Sequence, residues 1–152
     1  MIIPGTFSPT SLLADWVVGS QWQSIDASVK EAAERSLLNW FGCVLGRAND
    51  AATDSLVSAL LPLTGKGPSP LLGRSETTDP ASAALVHAFA SNILDYDDTH
   101  WATAIHPAGT VASALVAWAG QGRVSGEDFL HAFLLGMEIE CRIGLEIGRA
   151  HV

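Results

Sequence analysis

The chain has 152 residues, which is the length of one ordinary domain or of part of a larger one. Hydrophobic residues make up 48% and charged residues 16%, and this composition excludes a disordered chain because it supplies enough apolar surface for a core. Sixteen acidic against eight basic side chains give a net charge of −8, so we expect no nucleic-acid partner, whose phosphates would be repelled.

The sequence carries no membrane or export signal that we recognise. No stretch approaches the ~18 consecutive apolar residues of a spanning helix, and the N-terminal MIIPGTFSPTS lacks the positive charge that opens a signal peptide. Cys43 and Cys141 lie far apart, without the spacing of a metal or redox motif, and are predicted to be buried free thiols. We therefore predict a cytoplasmic protein with no membrane partner.

Helix signals begin near the N-terminus. Ser8 before Pro9 is typical of a helix start, and a first amphipathic helix is predicted from there to the next glycine. Ser28 and Glu31 form a capping-box pattern. They predict a second helix, whose apolar stripe extends to Gly46.

The next part of the chain combines a helix with a long loop. A third helix is predicted from about residue 49 to residue 61, with Asp50 in its first turn and Pro62 at its end. Residues 62–79 are rich in Pro, Gly, Ser and Thr, which predicts a loop with one short extended piece at residues 70–73.

Three further helices are predicted in the second half. Asp79 and Pro80 repeat the cap-and-proline pattern before the fourth helix, and a fifth runs over about residues 107–120. Ser125 with Asp128 caps a last helix that runs almost to the terminus. Strand signals are nearly absent, so the predicted fold class is all-α.

One polar stretch lies between the fourth and fifth helices. It reads Asp95-Tyr96-Asp97-Asp98-Thr99-His100, and His106 follows. Asp95 closes one helix and His106 opens the next, so the connecting loop can bring both side chains to one cleft. A carboxylate facing an imidazole can divide proton transfer, the carboxylate as base or orienting group and the histidine as acid or base. This pattern favours removal of a proton next to a carboxylate.

Three other interpretations of this stretch stay open from the residues alone. Acidic residues with Thr and His at a helix junction often only cap helix ends, and Asp and His side chains also bind divalent cations. The order Asp95-x-Asp97-x-Thr99 resembles the nucleophile motif of haloacid-dehalogenase-like phosphatases. That motif needs a buried parallel strand before the first Asp, whereas the residues before Asp95 have helical periodicity.

A longer stretch carries a more specific resemblance. GRSETTDPASAALVHAFASNILDYDDTHWATAIHPAGTVASALVAWAG resembles the signature region of the MmgE/PrpD family, and the LDYDDTH…HP combination is its most distinctive part. SLLNWFGCVLGRAN resembles an early helix of that family, and the similarity covers nearly the whole chain from about Ser11. GEDFLHAFLLGMEIECRIGLEIG resembles a later family helix, with the core residues Gly136, Glu138, Arg142, Ile143 and Gly144.

The resemblance implies a fold and a class of reaction. It makes residues 1–152 the N-terminal portion of the family's all-helical domain, with the smaller α/β domain absent and a homodimer or a complementing downstream chain expected. It implies a lyase or isomerase that needs no metal or cofactor and acts on small di- or tricarboxylates. We expect the 2-methylcitrate dehydratase type, the family's broadest label. The alternatives are cis-aconitate decarboxylase, iminodisuccinate epimerase, or a truncated, catalytically silent helical module.

The resemblance also assigns catalytic residues by motif. Asp95 and His106 match the family's active-site Asp and His, and Asp98 and His100 are further catalytic candidates. No metal ligand is predicted.

Two residues are candidates for contacting the substrate. Trp101 lies in the polar loop and is the aromatic expected to line the cleft. Arg142 could bind a substrate carboxylate in bidentate fashion, although its spacing from Glu138 equally predicts an ion pair within the last helix. The other tryptophans fit apolar stripes and are predicted to lie in the core; they are Trp16, Trp22, Trp40 and Trp118.

Overall fold

The computed structural model describes residues 8–147, in which α-helices carry nearly all regular structure. The helices are α1 (Pro9–Gly19), α2 (Ala27–Arg47), α3 (Ala51–Leu60), α4 (Pro80–Asn92), α5 (Pro107–Ala119) and α6 (Gly126–Ile147). Short 3-10 turns at Trp22–Ser24 and Leu61–Leu63 and two strands, β1 (Ser69–Pro70) and β2 (Thr77–Thr78), complete the fold. The predicted all-α class is confirmed. Over the described range, no helix is both long enough and apolar enough to cross a membrane.

Side-chain caps begin three helices where the sequence predicts them. The side chains of Ser8, Asp79 and Ser125 accept backbone N–H bonds from the first turns of α1, α4 and α6, at 3.4, 3.0 and 3.0 Å. Each cap satisfies a backbone donor that has no partner within its helix. The positions of these helix starts therefore follow from local chemistry.

Two other helix starts differ from the predictions. The N-cap of α2 is Asp26 and not Ser28, so the capping box of Ser28 and Glu31 does not form. Asp and Ser are about equally good N-caps, which is why the pattern did not decide between them. Asp50 is the N-cap of α3 rather than part of its first turn, and it accepts the N–H of Ala52 at 2.9 Å.

The strand pattern differs from the prediction, because the structure has two short paired strands instead of one extended piece. β1 pairs antiparallel with β2, with Ser69 opposite Thr78, whereas residues 70–73 were expected to be extended. The chain instead turns at Gly73, whose φ of 75° favours glycine. An added Cβ there would lie only 2.6 Å from the Cβ of Ala48. Because the end of α2 lies so close to this turn, no residue larger than glycine fits at position 73.

The main core lies among α2, α4, α5 and α6. Trp40 and Phe133 are its fully buried large side chains. Ala90 of α4 faces the core together with Ala108 and Ala112 of α5, and such small residues allow helices to pack closely. A second cluster joins α3, α4, α5 and the β1–β2 segment, with Val57, Leu71, Ala83, Val86 and Ala117 buried in it.

Of the four tryptophans predicted to lie in the core, only Trp40 is fully buried. Trp118 is 67% exposed, Trp16 is also exposed, and Trp22 is half-buried with the Lys30 ammonium 4.6 Å from its ring centroid. Periodicity identified the apolar stripes correctly, but it does not report which stripes have a neighbour to pack against.

Both cysteines are free thiols, as predicted, but the predicted burial is correct only for Cys43. Cys43 is buried and Cys141 is half-buried. Burial raises the pKa of each thiol, and nearby carboxylates raise it further. A raised pKa leaves little reactive thiolate at neutral pH, so both side chains act as packing groups.

A buried histidine fixes the loop before β2 to the main core. The side chain of His87 on α4 is only 1% exposed, and its Nε2 accepts the N–H of Leu72 at 3.0 Å. Its ring meets that of Trp40 edge-on, with centroids 6.2 Å apart. Because burial disfavours the charged ring, the pKa of His87 falls to about 4.

Protonation of His87 is expected to destabilise the fold below neutral pH. The unfolded chain binds this proton near pH 6.5 and the folded chain only near 4. The neutral, buried His87 ring therefore contributes fully to the free energy of unfolding above pH 6.5. This contribution falls as the pH drops toward 4, by up to about 3 kcal/mol. We expect the unfolding free energy in urea to fall less between pH 7 and pH 4.5 in His87→Gln than in the wild type. Parallel pH profiles for the two proteins would contradict this assignment.

Candidate active site

The candidate residues lie on the loop between α4 and α5. The N–H of Asp95 donates to the carbonyl of Asn92 at 3.1 Å, one turn back in α4. Its φ of 55° lies in the left-handed region, which Asp tolerates better than most residues. His106 is the N-cap residue of α5. The predicted placement of the two residues at adjoining helix ends is therefore observed.

The loop brings Asp95 and His106 together. Asp95 Oδ1 lies 3.8 Å from His106 Nε2, and the side chains are 84% and 30% exposed. The separation is longer than a hydrogen bond, and catalytic contacts often shorten only when substrate binds. The pair can therefore exchange a proton with a molecule bound from the solvent side.

The backbone fixes which nitrogen of His106 carries the proton. His106 Nδ1 lies 2.9 Å from the carbonyl oxygen of Asp98. A carbonyl only accepts hydrogen bonds, so Nδ1 is assigned as the donor. The neutral ring then has its lone pair on Nε2, the nitrogen that faces Asp95. This tautomer presents a base toward the exposed carboxylate.

Asp97 adds a buried carboxylate behind His106. Its side chain is 1% exposed, and its Oδ1 lies 3.6 Å from His106 Nδ1. Oδ1 has no hydrogen-bond partner among the described residues, and Oδ2 accepts a long contact of 3.4 Å from the Asn92 amide. The sequence-based candidates did not include Asp97, because spacing alone does not tell which carboxylate of a run points inward.

Asp98, a predicted catalytic residue, has both carboxylate oxygens in structural hydrogen bonds. Oδ1 accepts the N–H of Ala108 in the first turn of α5 at 3.1 Å, and Oδ2 accepts the hydroxyl of Ser36 on α2 at 2.7 Å. Asp98 therefore caps α5 and anchors the loop to α2.

The role of Asp98 predicts a loss of stability on substitution. Asp98→Ala removes the acceptors of both the Ala108 N–H and the Ser36 hydroxyl, and we expect it to lower the unfolding free energy by about 2 kcal/mol. Ser36→Ala removes only one of the two bonds and should cost less. Urea unfolding of both variants measures the difference. Equal stability of Asp98→Ala and the wild type would contradict the capping role.

His100 and Trp101 lie farther along the same loop. His100 Nδ1 is 2.7 Å from Thr103 Oγ1, and the His100 N–H donates to the Ile105 carbonyl at 2.9 Å. These bonds hold the loop itself. The Trp101 side chain is 90% exposed, so the described part of the chain covers little of it. Catalysis by His100 and substrate contact by Trp101 stay predictions.

Arg142 forms the ion pair that its spacing predicts. Its guanidinium lies 2.6 Å from Glu138 on the same helix. The other paired arginines are Arg35 with Glu31, Arg47 with Asp50, and Arg74 with Asp54 and Glu76. The role of Arg142 in substrate binding stays a prediction, and it would require this ion pair to open.

The three side chains nearest one another also raise the question of a metal. Asp95, Asp97 and His106 offer ligand atoms within 4.8 Å of one another. The two carboxylates, however, approach opposite ring nitrogens, and Nδ1 already donates to a carbonyl. A histidine binds metal through an unprotonated nitrogen, which leaves only Nε2 and Asp95 facing a common point. The geometry therefore suits proton transfer better than a three-ligand metal site.

Two apolar grooves lie elsewhere on the surface. One, between α2 and α6, has a volume of about 210 Å³ and is lined by residues such as Ala33, Leu134 and Met137. The other is lined by Leu38, Phe41 and neighbouring residues. Neither groove contains the Asp95–His106 pair. We place the candidate site at that pair because proton transfer requires an acid and a base, which the apolar grooves do not provide.

Comparison with known proteins agrees with the resemblance. Residues 11–152 match the MmgE/PrpD N-terminal domain. The chain is 28% identical over 142 residues to cis-aconitate decarboxylase-like protein oryM of Aspergillus oryzae (strain ATCC 42149 / RIB 40), which covers 89% of this chain and 30% of that protein.

Further relatives have the same kind of name. Cis-aconitate decarboxylase of Aspergillus terreus is 27% identical over 91% of this chain and 29% of its own length. That of Homo sapiens is 40% identical over 68 residues, 42% of this chain and 14% of the human protein. The chain thus spans about 30% of the length of the fungal relatives. The domain match covers nearly the whole sequence, and the chain belongs to the MmgE/PrpD family.

Proposed function

We propose that this chain carries the proton-transferring part of a metal-independent lyase that acts on small di- or tricarboxylates. The observation that supports it is the juxtaposition of an exposed Asp95 carboxylate and the lone pair of His106 Nε2, 3.8 Å apart. The Asp98 carbonyl holds the other ring nitrogen at 2.9 Å, which keeps Nε2 turned toward Asp95.

When Nε2 of His106 has taken up a proton from water, the pair consists of a carboxylate and an imidazolium, and it can act as both base and acid. In a dehydration, Asp95 takes the proton from the carbon next to a substrate carboxylate, and the freed electron pair forms the double bond as the C–O bond breaks. The protonated His106 gives its proton to the departing hydroxyl, which leaves as water. The pair then again holds one proton.

Two substrates are candidates for this chemistry. We expect dehydration of the 2-methylcitrate type. The second candidate is decarboxylation of cis-aconitate, which is favoured by the names of the fungal relatives. In that reaction the C–C bond to the carboxylate breaks, CO₂ leaves, and the electron pair left on the substrate takes a proton from the acid. Both reactions need a positioned proton donor or acceptor.

The site also needs positive charge to hold a carboxylate substrate. Four of the arginines are paired with carboxylates of this chain, and the net charge is −8. We therefore include in the proposal cationic groups from a second copy or from a complementing chain.

The experiment that tests the proposal follows three substrates by ¹H NMR. The chain is incubated with 2-methylcitrate, cis-aconitate or iminodisuccinate, with and without EDTA. We expect turnover of a tricarboxylate at the same rate in EDTA. Turnover of iminodisuccinate alone would contradict the lyase assignment, and an EDTA effect reversed by one divalent ion would contradict its metal independence. A folded chain that turns over none of them, alone and when mixed with a chain that carries the downstream part of the family's sequence, is the silent module that the proposal excludes.

A further inference from the structure

We propose that Asp97 is a positioning residue that holds His106 with Nδ1 protonated and Nε2 free for proton transfer. The inference rests on the proposed function in one respect, that His106 is the group that moves protons. It adds a residue that motif comparison did not single out.

Burial makes Asp97 unusual among the acidic residues of the loop. Asp95 is largely exposed. Both carboxylate oxygens of Asp98 accept hydrogen bonds, from the Ala108 N–H and from the Ser36 hydroxyl. The Asp97 side chain is only 1% exposed, and its Oδ1 has no hydrogen-bond partner among residues 8–147. A buried carboxylate oxygen without a partner is destabilising unless a nearby positive charge compensates it.

The nearest group able to supply that charge is His106. Its Nδ1 lies 3.6 Å from Asp97 Oδ1 and 2.9 Å from the Asp98 carbonyl. Thr99 Oγ1 lies 3.4 Å from the same nitrogen, so Nδ1 is surrounded by oxygens, and its N–H donates to the Asp98 carbonyl. A positive charge that develops on the ring during proton transfer is stabilised by Asp97 from the buried side.

The surroundings of Asp97 stabilise a negative charge at this position. The Asn92 amide lies 3.4 Å from Oδ2, and the same oxygen lies beside the first turn of α5, 3.7 Å from the point where a Cβ on Gly109 would stand. The amino end of a helix carries a partial positive charge.

This arrangement determines which nitrogen of His106 exchanges protons. The oxygens on the Nδ1 side oppose a ring flip, because a flipped ring would bring carbon atoms against them. Nε2 is then the nitrogen that exchanges protons on the exposed side, where Asp95 lies. Asp97 touches neither the solvent nor the expected substrate position, so it acts through His106.

The test uses ¹⁵N-histidine-labelled chain and long-range ¹H–¹⁵N NMR. His106 is assigned by the loss of its signals in His106→Gln. At pH 8 we expect the wild type to show the Nδ1–H tautomer. In Asp97→Asn at the same pH we expect the ratio of the Nδ1–H to the Nε2–H tautomer of His106 to fall by at least about threefold, because a negative charge beside Nδ1 is removed. Glu31→Gln, which removes an exposed carboxylate on α2, should leave that ratio unchanged.

Clear outcomes overturn the inference. An Nε2–H tautomer in the wild type contradicts it without any variant, and so does an unchanged His106 tautomer ratio in a folded Asp97→Asn. A role limited to packing the loop would lower stability and leave this ratio alone. The NMR measurement needs no substrate. A lowered share of the Nδ1–H tautomer in Asp97→Asn, together with no turnover by the wild type alone or with a complementing chain, would therefore refute the proposed function and support the positioning role.

Discussion

Asp95→Asn and His106→Gln are each expected to reduce turnover by about 10²–10⁴-fold, the usual contribution of a positioned acid or base. Asn tolerates the left-handed backbone at position 95 as well as Asp does. Neither side chain is part of the buried core. We therefore expect the variants to fold and to lose only proton transfer.

The measurement is the initial rate with whichever substrate the wild type converts fastest. Glu31→Gln is the matched control, because it removes a carboxylate that only pairs with Arg35. Far-UV circular dichroism and the urea midpoint verify folding. If Asp95→Asn or His106→Gln retains more than about a tenth of the wild-type rate, that residue is not the acid or base of this reaction.

Trp40→Ala is expected to lower the unfolding free energy by about 3–5 kcal/mol, the usual loss for a large aromatic removed from a core. Trp40 is fully buried at the centre of the main cluster, and its ring packs edge-on against Phe41 with centroids 4.9 Å apart. The cavity would lie in the main core, where α2 meets α4 and α5.

Trp118→Ala is the control for this effect. Its side chain is 67% exposed, and exposed substitutions usually change stability by less than about 0.5 kcal/mol. Urea unfolding followed by circular dichroism gives both values. Comparable losses for the two variants would show that a partner surface covers Trp118 in solution, and would contradict the core described for the chain alone.

The helix pattern was predictable because its signals are local. Ser8, Asp79 and Ser125 each bond a backbone N–H no more than three residues away, so the sequence contains both partners. Asp26 and Ser28 show where local signals fail: both are good caps two positions apart, and the helix begins after Asp26.

The site was predictable in outline but not in detail. Asp95 and His106 lie at adjoining helix ends, so a short loop brings them together. The difference between Asp97 and Asp98 depends on the left-handed turn at Asp95 and on the hydroxyl of Ser36, a partner 62 residues away. Two neighbouring aspartates thus take different roles: Asp97 points inward, and Asp98 caps α5. The exposure of Trp118 was hidden for a similar reason, because periodicity describes a face and not what covers it.

The central claim is that Asp95 and His106 move a proton at a carbon next to a carboxylate. Deuterium incorporation tests it most directly. The chain is incubated in D₂O with 2-methylcitrate and with cis-aconitate, and ¹H and ²H NMR follow the label at carbons next to carboxylates in substrate and product. We expect label to enter in the wild type and in Glu31→Gln, and at least about a hundredfold more slowly in His106→Gln. Equal incorporation in the wild type and His106→Gln would contradict the claim.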